Sequence, residues 1–89
     1  NVNLQFAILL SADLSGTDFD GAFLHGADFR GANLTDAFLY TAELTDADFT
    51  RAILVNASFW NSDLRGAKLT YANLINVNLT EANLGGIKG

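Results

Sequence analysis

The chain has 89 residues and contains no cysteine and no proline. The first absence excludes disulfides, thiolate metal sites and cysteine nucleophiles. The second fits a backbone whose N–H groups mostly join hydrogen-bonded ladders, to which proline cannot donate. Apolar runs are short, and none approaches the ~18–20 residues of a membrane-spanning helix. No basic stretch leads into an apolar segment as in a signal peptide. Cations are scarce too, with five Lys and Arg against ten Asp and Glu for a net charge of −5. Direct nucleic-acid binding draws on basic patches, so this balance argues against it. A single histidine, His25, is available for acid–base work.

What the chain does have is a rhythm of five. A bulky apolar residue recurs at every fifth position from Leu4 to Leu84, as thirteen Leu and four Phe (Phe19, Phe29, Phe49 and Phe59). A helix advances ~100° per residue, so five steps scatter these residues over all its faces. A strand alternates sides, so five steps send each one to the opposite face. Two residues before each bulky position the chain is small: all thirteen alanines lie there, with Thr17 and Ser62 as substitutes. Two residues after it come Gly16, Gly21, Gly26, Gly31, Asp36, Asp46, Asn56, Asn61, Gly66, Asn76 and Gly86, types that tolerate positive φ at a turn. The two flanking positions of each unit are expected to vary freely.

A repeat of this kind fixes architecture before anything else. Short straight sides joined by tight corners would point the small and bulky residues inward and the flanking residues out. Successive coils would pair at the ~4.8 Å spacing of sheet neighbours, giving a solenoid about 20 Å long. End coils, covered on one side only, should fray first. The number of sides is left open by spacing. A second rhythm of fifteen, in "AILLS", "AFLHG", "AFLYT" and "AILVN" from Ala7, Ala22, Ala37 and Ala52, would allow three.

The units "ADFRG", "ANLTD", "ADFTR", "ANLIN" and "ANLGG" carry a motif A-(D/N)-L/F-x-x that resembles the pentapeptide-repeat family. The likeness covers essentially all of residues 2–88. It implies an all-β fold: a right-handed, four-sided (quadrilateral) β-helix solenoid of a little over four coils. It also implies a bacterial, and more narrowly cyanobacterial, origin. One domain over residues 1–89 is expected. The repeat runs from Val2 to Ile87 without capping segments, which suggests a domain excised from a longer protein, or tails missing from this chain. A soluble protein is expected, with the cytoplasm mildly favoured.

On four sides, the charges divide as −2, +2, −2 and −3, without a densely acidic stripe. Some family members mimic DNA and regulate type II topoisomerases such as gyrase, and this is the alternative reading of the function. It asks for a longer and more acidic rod. Nothing in the chain assembles catalysis. His25 falls in an outward column with Gln5, Thr45, Arg65 and Gly85, which offers no carboxylate or nucleophile. Asp28 and Asp48 would stack below Lys68, too few ligands for a dedicated cation site, with Arg30 at hand to neutralise them. The glycines fall at corners and form no phosphate-binding signature. No catalytic residue, metal or cofactor is expected.

Exposed apolar residues are the better signal. Phe38, Tyr40 and Trp60 would share one side, with Ile53, Val55 and Ile75 on the adjoining one. A second cluster, Phe6, Ile8, Leu10 and Phe23, lies towards the N-terminal end, where a capping segment would cover it. Large bare apolar patches are rare on soluble monomers. The expected function is therefore a non-catalytic scaffold whose first patch binds a protein partner or a second copy.

Overall fold

The number of sides follows from which backbone groups meet. In the structure, a computed structural model that describes residues 2–89, bridged residues pair in parallel with a step of twenty: Asn3 with Phe23, Phe23 with Glu43, Glu43 with Asp63. The same step runs from Ile8, Asp13 and Asp18. Twenty residues are four pentads, so each coil has four sides and the three-sided alternative falls. Side 1 holds residues 2–6, 22–26, 42–46, 62–66 and 82–86. Side 2 holds 7–11, 27–31, 47–51, 67–71 and 87–89; side 3 holds 12–16, 32–36, 52–56 and 72–76; side 4 holds 17–21, 37–41, 57–61 and 77–81. Each side is too short for a ladder, and only isolated single-residue bridges occur among the described residues.

Backbone polar groups that leave water must find partners. In the pentad 27–31 the five N–H groups do so by four routes. Ala27 closes the turn onto the Leu24 carbonyl at 3.0 Å, and Asp28 donates one coil back to Ala7 at 2.9 Å. Phe29 and Gly31 donate one coil forward, to Asp48 at 2.8 Å and Thr50 at 2.9 Å. The remaining N–H, of Arg30, goes to the Asp28 side chain at 3.1 Å. The same side-chain bond recurs wherever Asp or Asn precedes the bulky residue: at Asn3, Asp13, Asp18, Asn33, Asp48, Asp63, Asn73, Asn78 and Asn83. That position is therefore not free, as the sequence suggested. It supplies an acceptor that the backbone lacks.

Corners are turns with positive φ at their third residue, the type II arrangement. Glycine and Asx residues fill most of them, with Gly16 at φ +69° and Asn56 at +61°. Six corners use less tolerant residues: Phe6, Ser11, Thr41, Arg51, Tyr71 and Glu81, all between φ 55° and 61°. A left-handed residue with a Cβ costs roughly 1–2 kcal/mol, so the fold overrides local preference at these six. Around each coil the hydrogen bonds leave the corner no other shape.

Inside, the side chains seal. Leu24, Leu44 and Leu64, stacked on side 1, are fully buried, as are the alanines from Ala22 to Ala67. Phe29 and Phe49, one coil apart on side 2, stack with centroids 4.8 Å apart and planes 1° from parallel. Phe19 meets Phe29 edge-on at 6.1 Å and Phe59 meets Phe49 at 5.6 Å. The column opens at the end: Leu74 and Leu84 are 40% and 38% exposed. Two buried hydroxyls, of Ser58 and Ser62, have no hydrogen-bond partner. The extents are 22 × 21 × 20 Å, matching the length expected from coil spacing.

Candidate partner-binding surface

Since the interior and corners serve the fold, surface chemistry falls to the two flanking positions of each pentad. The structure brings Phe38, Tyr40 and Trp60 together on side 4. The Phe38 and Tyr40 rings lie 5.7 Å apart, and the Tyr40 and Trp60 rings meet edge-on at 6.4 Å. Tyr40 is half-buried between its neighbours, while Phe38 and Trp60 stay exposed. On side 3, Ile53 and Ile75 are exposed and Val55 is half-buried. All six candidate residues thus lie on two adjoining sides. Near the N-terminal end the Phe6 ring lies over Gly26, where a Cβ would come within 2.7 Å of it, and packs edge-on against His25 at 5.2 Å. Ile8, Leu10 and Phe23 are exposed there too.

The fifteen-residue rhythm finds its meaning here. Ile8, Phe23, Phe38 and Ile53 occupy the position that Asp or Asn fills in ten of the seventeen units, so they supply no acceptor to the N–H two residues on. Fifteen residues advance the chain one coil less one side. The four residues therefore fall on sides 2, 1, 4 and 3 in turn, an apolar stripe that winds against the chain around the prism. Tyr71 is a feature the sequence reading missed. It is 78% exposed at a side 2 corner, with the Arg51 guanidinium 5.3 Å from its ring centroid.

Charge is partitioned as sharply. Every Lys and Arg lies on sides 1 and 2, which balance to zero, and sides 3 and 4 carry the whole net charge of −5. On side 2, Asp28 stacks on Asp48, and Asp48 on Lys68, as expected. Arg30 grips Asp28 with two bonds, at 2.9 and 2.7 Å, and thereby holds its carboxyl below the usual range. Arg65 does the same for Asp63 on side 1. His25 corrects one expectation. Its column does reach a carboxylate: Nδ1 lies 2.6 Å from the Thr45 hydroxyl, which donates to Glu43 at 2.6 Å. The three form a hydrogen-bonded chain on an open wall, with no cavity among the described residues to hold a substrate. Among those residues no group of three His, Cys, Asp or Glu is placed to share a metal, and no helix is long and apolar enough to cross a membrane.

A four-sided coil of five-residue units, with flat walls bearing the variable side chains, defines a repeat solenoid. The chain belongs to the pentapeptide-repeat family: a model of pentapeptide repeats matches it in eight copies, over residues 1–36, 42–80 and 61–87. Among solved structures it is similar to Rfr23, a pentapeptide-repeat protein of the cyanobacterium Cyanothece 51142. That match has 35% identity and a TM-score of 0.94 and covers 97% of this chain and 58% of Rfr23. It is also similar to HetL, a pentapeptide-repeat protein involved in heterocyst differentiation regulation in the cyanobacterium Nostoc sp. strain PCC 7120. Here identity is 31% and the TM-score 0.75, over 97% of this chain and 46% of HetL. A thylakoid-lumen pentapeptide-repeat protein of Arabidopsis thaliana matches at 32% identity and a TM-score of 0.74, over 96% of this chain and 56% of its own. The chain therefore spans about half the length of these relatives. No curated protein matches by sequence.

Proposed function

We propose that the chain is a non-catalytic scaffold whose sides 3 and 4 bind a partner protein or a second copy through Phe38, Tyr40, Trp60, Ile53, Val55 and Ile75. One observation carries this. At Phe38 and Ile53 the chain lacks the Asp or Asn that caps a backbone N–H in ten of the seventeen units and presents an exposed apolar side chain instead. A cap is worth about 1 kcal/mol and exposed apolar surface returns nothing to the fold, so a covering partner is what rewards the exchange. We read residues 1–89 as one β-helical domain of a longer protein, coiled right-handed as in the family.

The test replaces Tyr40 and Trp60 together with serine. The expected result is a change in oligomeric state by light scattering, or loss of a partner that the unaltered chain retains. If both are unchanged while the fold persists, the patch is misassigned. Gyrase regulation by DNA mimicry is the second reading, favoured by the placement of all net charge on two sides. Extents of 22 × 21 × 20 Å count against it. Absence of supercoiling inhibition at roughly tens of micromolar protein would remove it.

A further inference from the structure

We propose that sides 3 and 4 dock a basic segment of a partner protein, its arginine or lysine side chains lying against the Tyr40 and Trp60 rings beside Asp18 and Asp20. This rests on the scaffold reading and gives its partner a chemistry. Asp18 bridges Phe38, so its carboxylate stands one coil from that ring. Asp20 stands one coil from Tyr40, which stands one coil from Trp60. Among the described residues these carboxylates have no cation of their own. The ion pairs among the described residues are Arg30–Asp28, Arg65–Asp63 and His25–Glu43, all on sides 1 and 2. Asp18 Oδ1 accepts the Asp20 N–H at 2.9 Å and Asp20 Oδ1 accepts the Thr41 hydroxyl at 3.1 Å, which leaves Oδ2 of each for an outside donor.

Aromatic faces attract cations through the ring quadrupole, most strongly at Trp and Tyr, and Arg is the usual partner. The chain already shows the geometry once. Arg51 sits 5.3 Å from the Tyr71 centroid across the same one-coil step that separates Tyr40 from Asp20 and from Trp60. A side chain long enough to make that step, offered from outside, meets a ring and a carboxylate together on side 4. An anionic occupant such as nucleic acid or an acidic lipid surface meets five carboxylates on these two sides and no compensating charge.

Trp60 is the sole tryptophan, so its fluorescence reads the site directly. The probes are a short peptide of alternating arginine and glycine, the same peptide with citrulline in place of arginine, and one with glutamate. The arginine peptide is expected to shift Trp60 emission saturably and to bind roughly five-fold or more tightly than the citrulline peptide. Binding should weaken as salt rises, and the glutamate peptide should not bind. Tyr40→Leu and Asp20→Asn are each expected to weaken arginine-peptide binding about two- to five-fold, with the melting temperature nearly unchanged. Equal binding of the arginine and citrulline peptides, or no response at roughly millimolar arginine peptide, overturns the proposal. The citrulline comparison uses the unaltered chain and holds even where a variant misfolds. A partner lost from the Tyr40 and Trp60 serine variant, together with silence towards the arginine peptide, leaves the scaffold reading standing and this one refuted.

Discussion

Phe49 and Leu84 occupy the same place in their pentads, yet Phe49 is fully buried and Leu84 is 38% exposed. The middle coils, from Ala22 to Ala67, pair with a coil above and a coil below, whereas residues 82–86 pair with a described coil on one side only. The difference teaches that burial in this fold is supplied by the neighbouring coil and not by the unit's own residues. Stability should be graded along the axis accordingly.

The sharpest way to break that comparison is to empty both places. Phe49→Ala opens a cavity between stacked rings and is expected to cost about 3–5 kcal/mol in chemical denaturation, enough to unfold a marginal domain. Leu84→Ala removes a side chain that is already partly wet and should cost about 1 kcal/mol or less. Equal losses would mean that the coils do not differ. Caps offer a gentler contrast. Asn33 holds the Thr35 N–H at 3.0 Å and its hydroxyl at 2.7 Å, and Asn83 holds the Gly85 N–H at 3.1 Å in a more exposed setting. Asn33→Ala should lower stability by about 1 kcal/mol and Asn83→Ala by clearly less.

One substitution should move the other way. Ser62 is buried in a place that alanine fills in most units, and its hydroxyl has no partner. Ser62→Ala is expected to stabilise by about 1 kcal/mol, read as a melting temperature higher by a few degrees. The smallest effect concerns acid. Arg30 holds the Asp28 carboxyl below its ordinary 3.8, so the pair contributes fully above that value and is lost as the pH falls through the lowered one. Arg65 acts on Asp63 in the same direction. Both pairs are partly solvated and each is worth little. Asp28→Asn should flatten the fall in stability below about pH 4, and a slope unchanged from that of the parent would contradict this.

Much of this was legible in the sequence. The inward Leu, Phe and Ala, most corners and the six-residue patch could be placed because a pentad is a local object, and side-chain size and φ tolerance act within it. The Asp/Asn preference was visible in the motif, but its cause was not. The N–H it caps is orphaned only once three others in the unit have found partners on neighbouring coils and the fourth has closed the turn. Thr41 and Tyr71 did not announce themselves as corners, because nothing in either residue favours positive φ. His25 looked isolated because its link to Glu43 runs through Thr45, twenty residues away along the chain.

The sequence alone determined what faces in, what faces out and where the chain bends. Only the tertiary structure decided that twenty residues close a coil and not fifteen. That choice turns a rhythm of fifteen into a winding apolar stripe and sets Asp18 and Asp20 under Phe38 and Tyr40. The reason is that closure depends on which distant carbonyl each N–H meets. Leu24, for example, reaches Glu43 at 2.8 Å, a pairing on which no pentad carries information by itself.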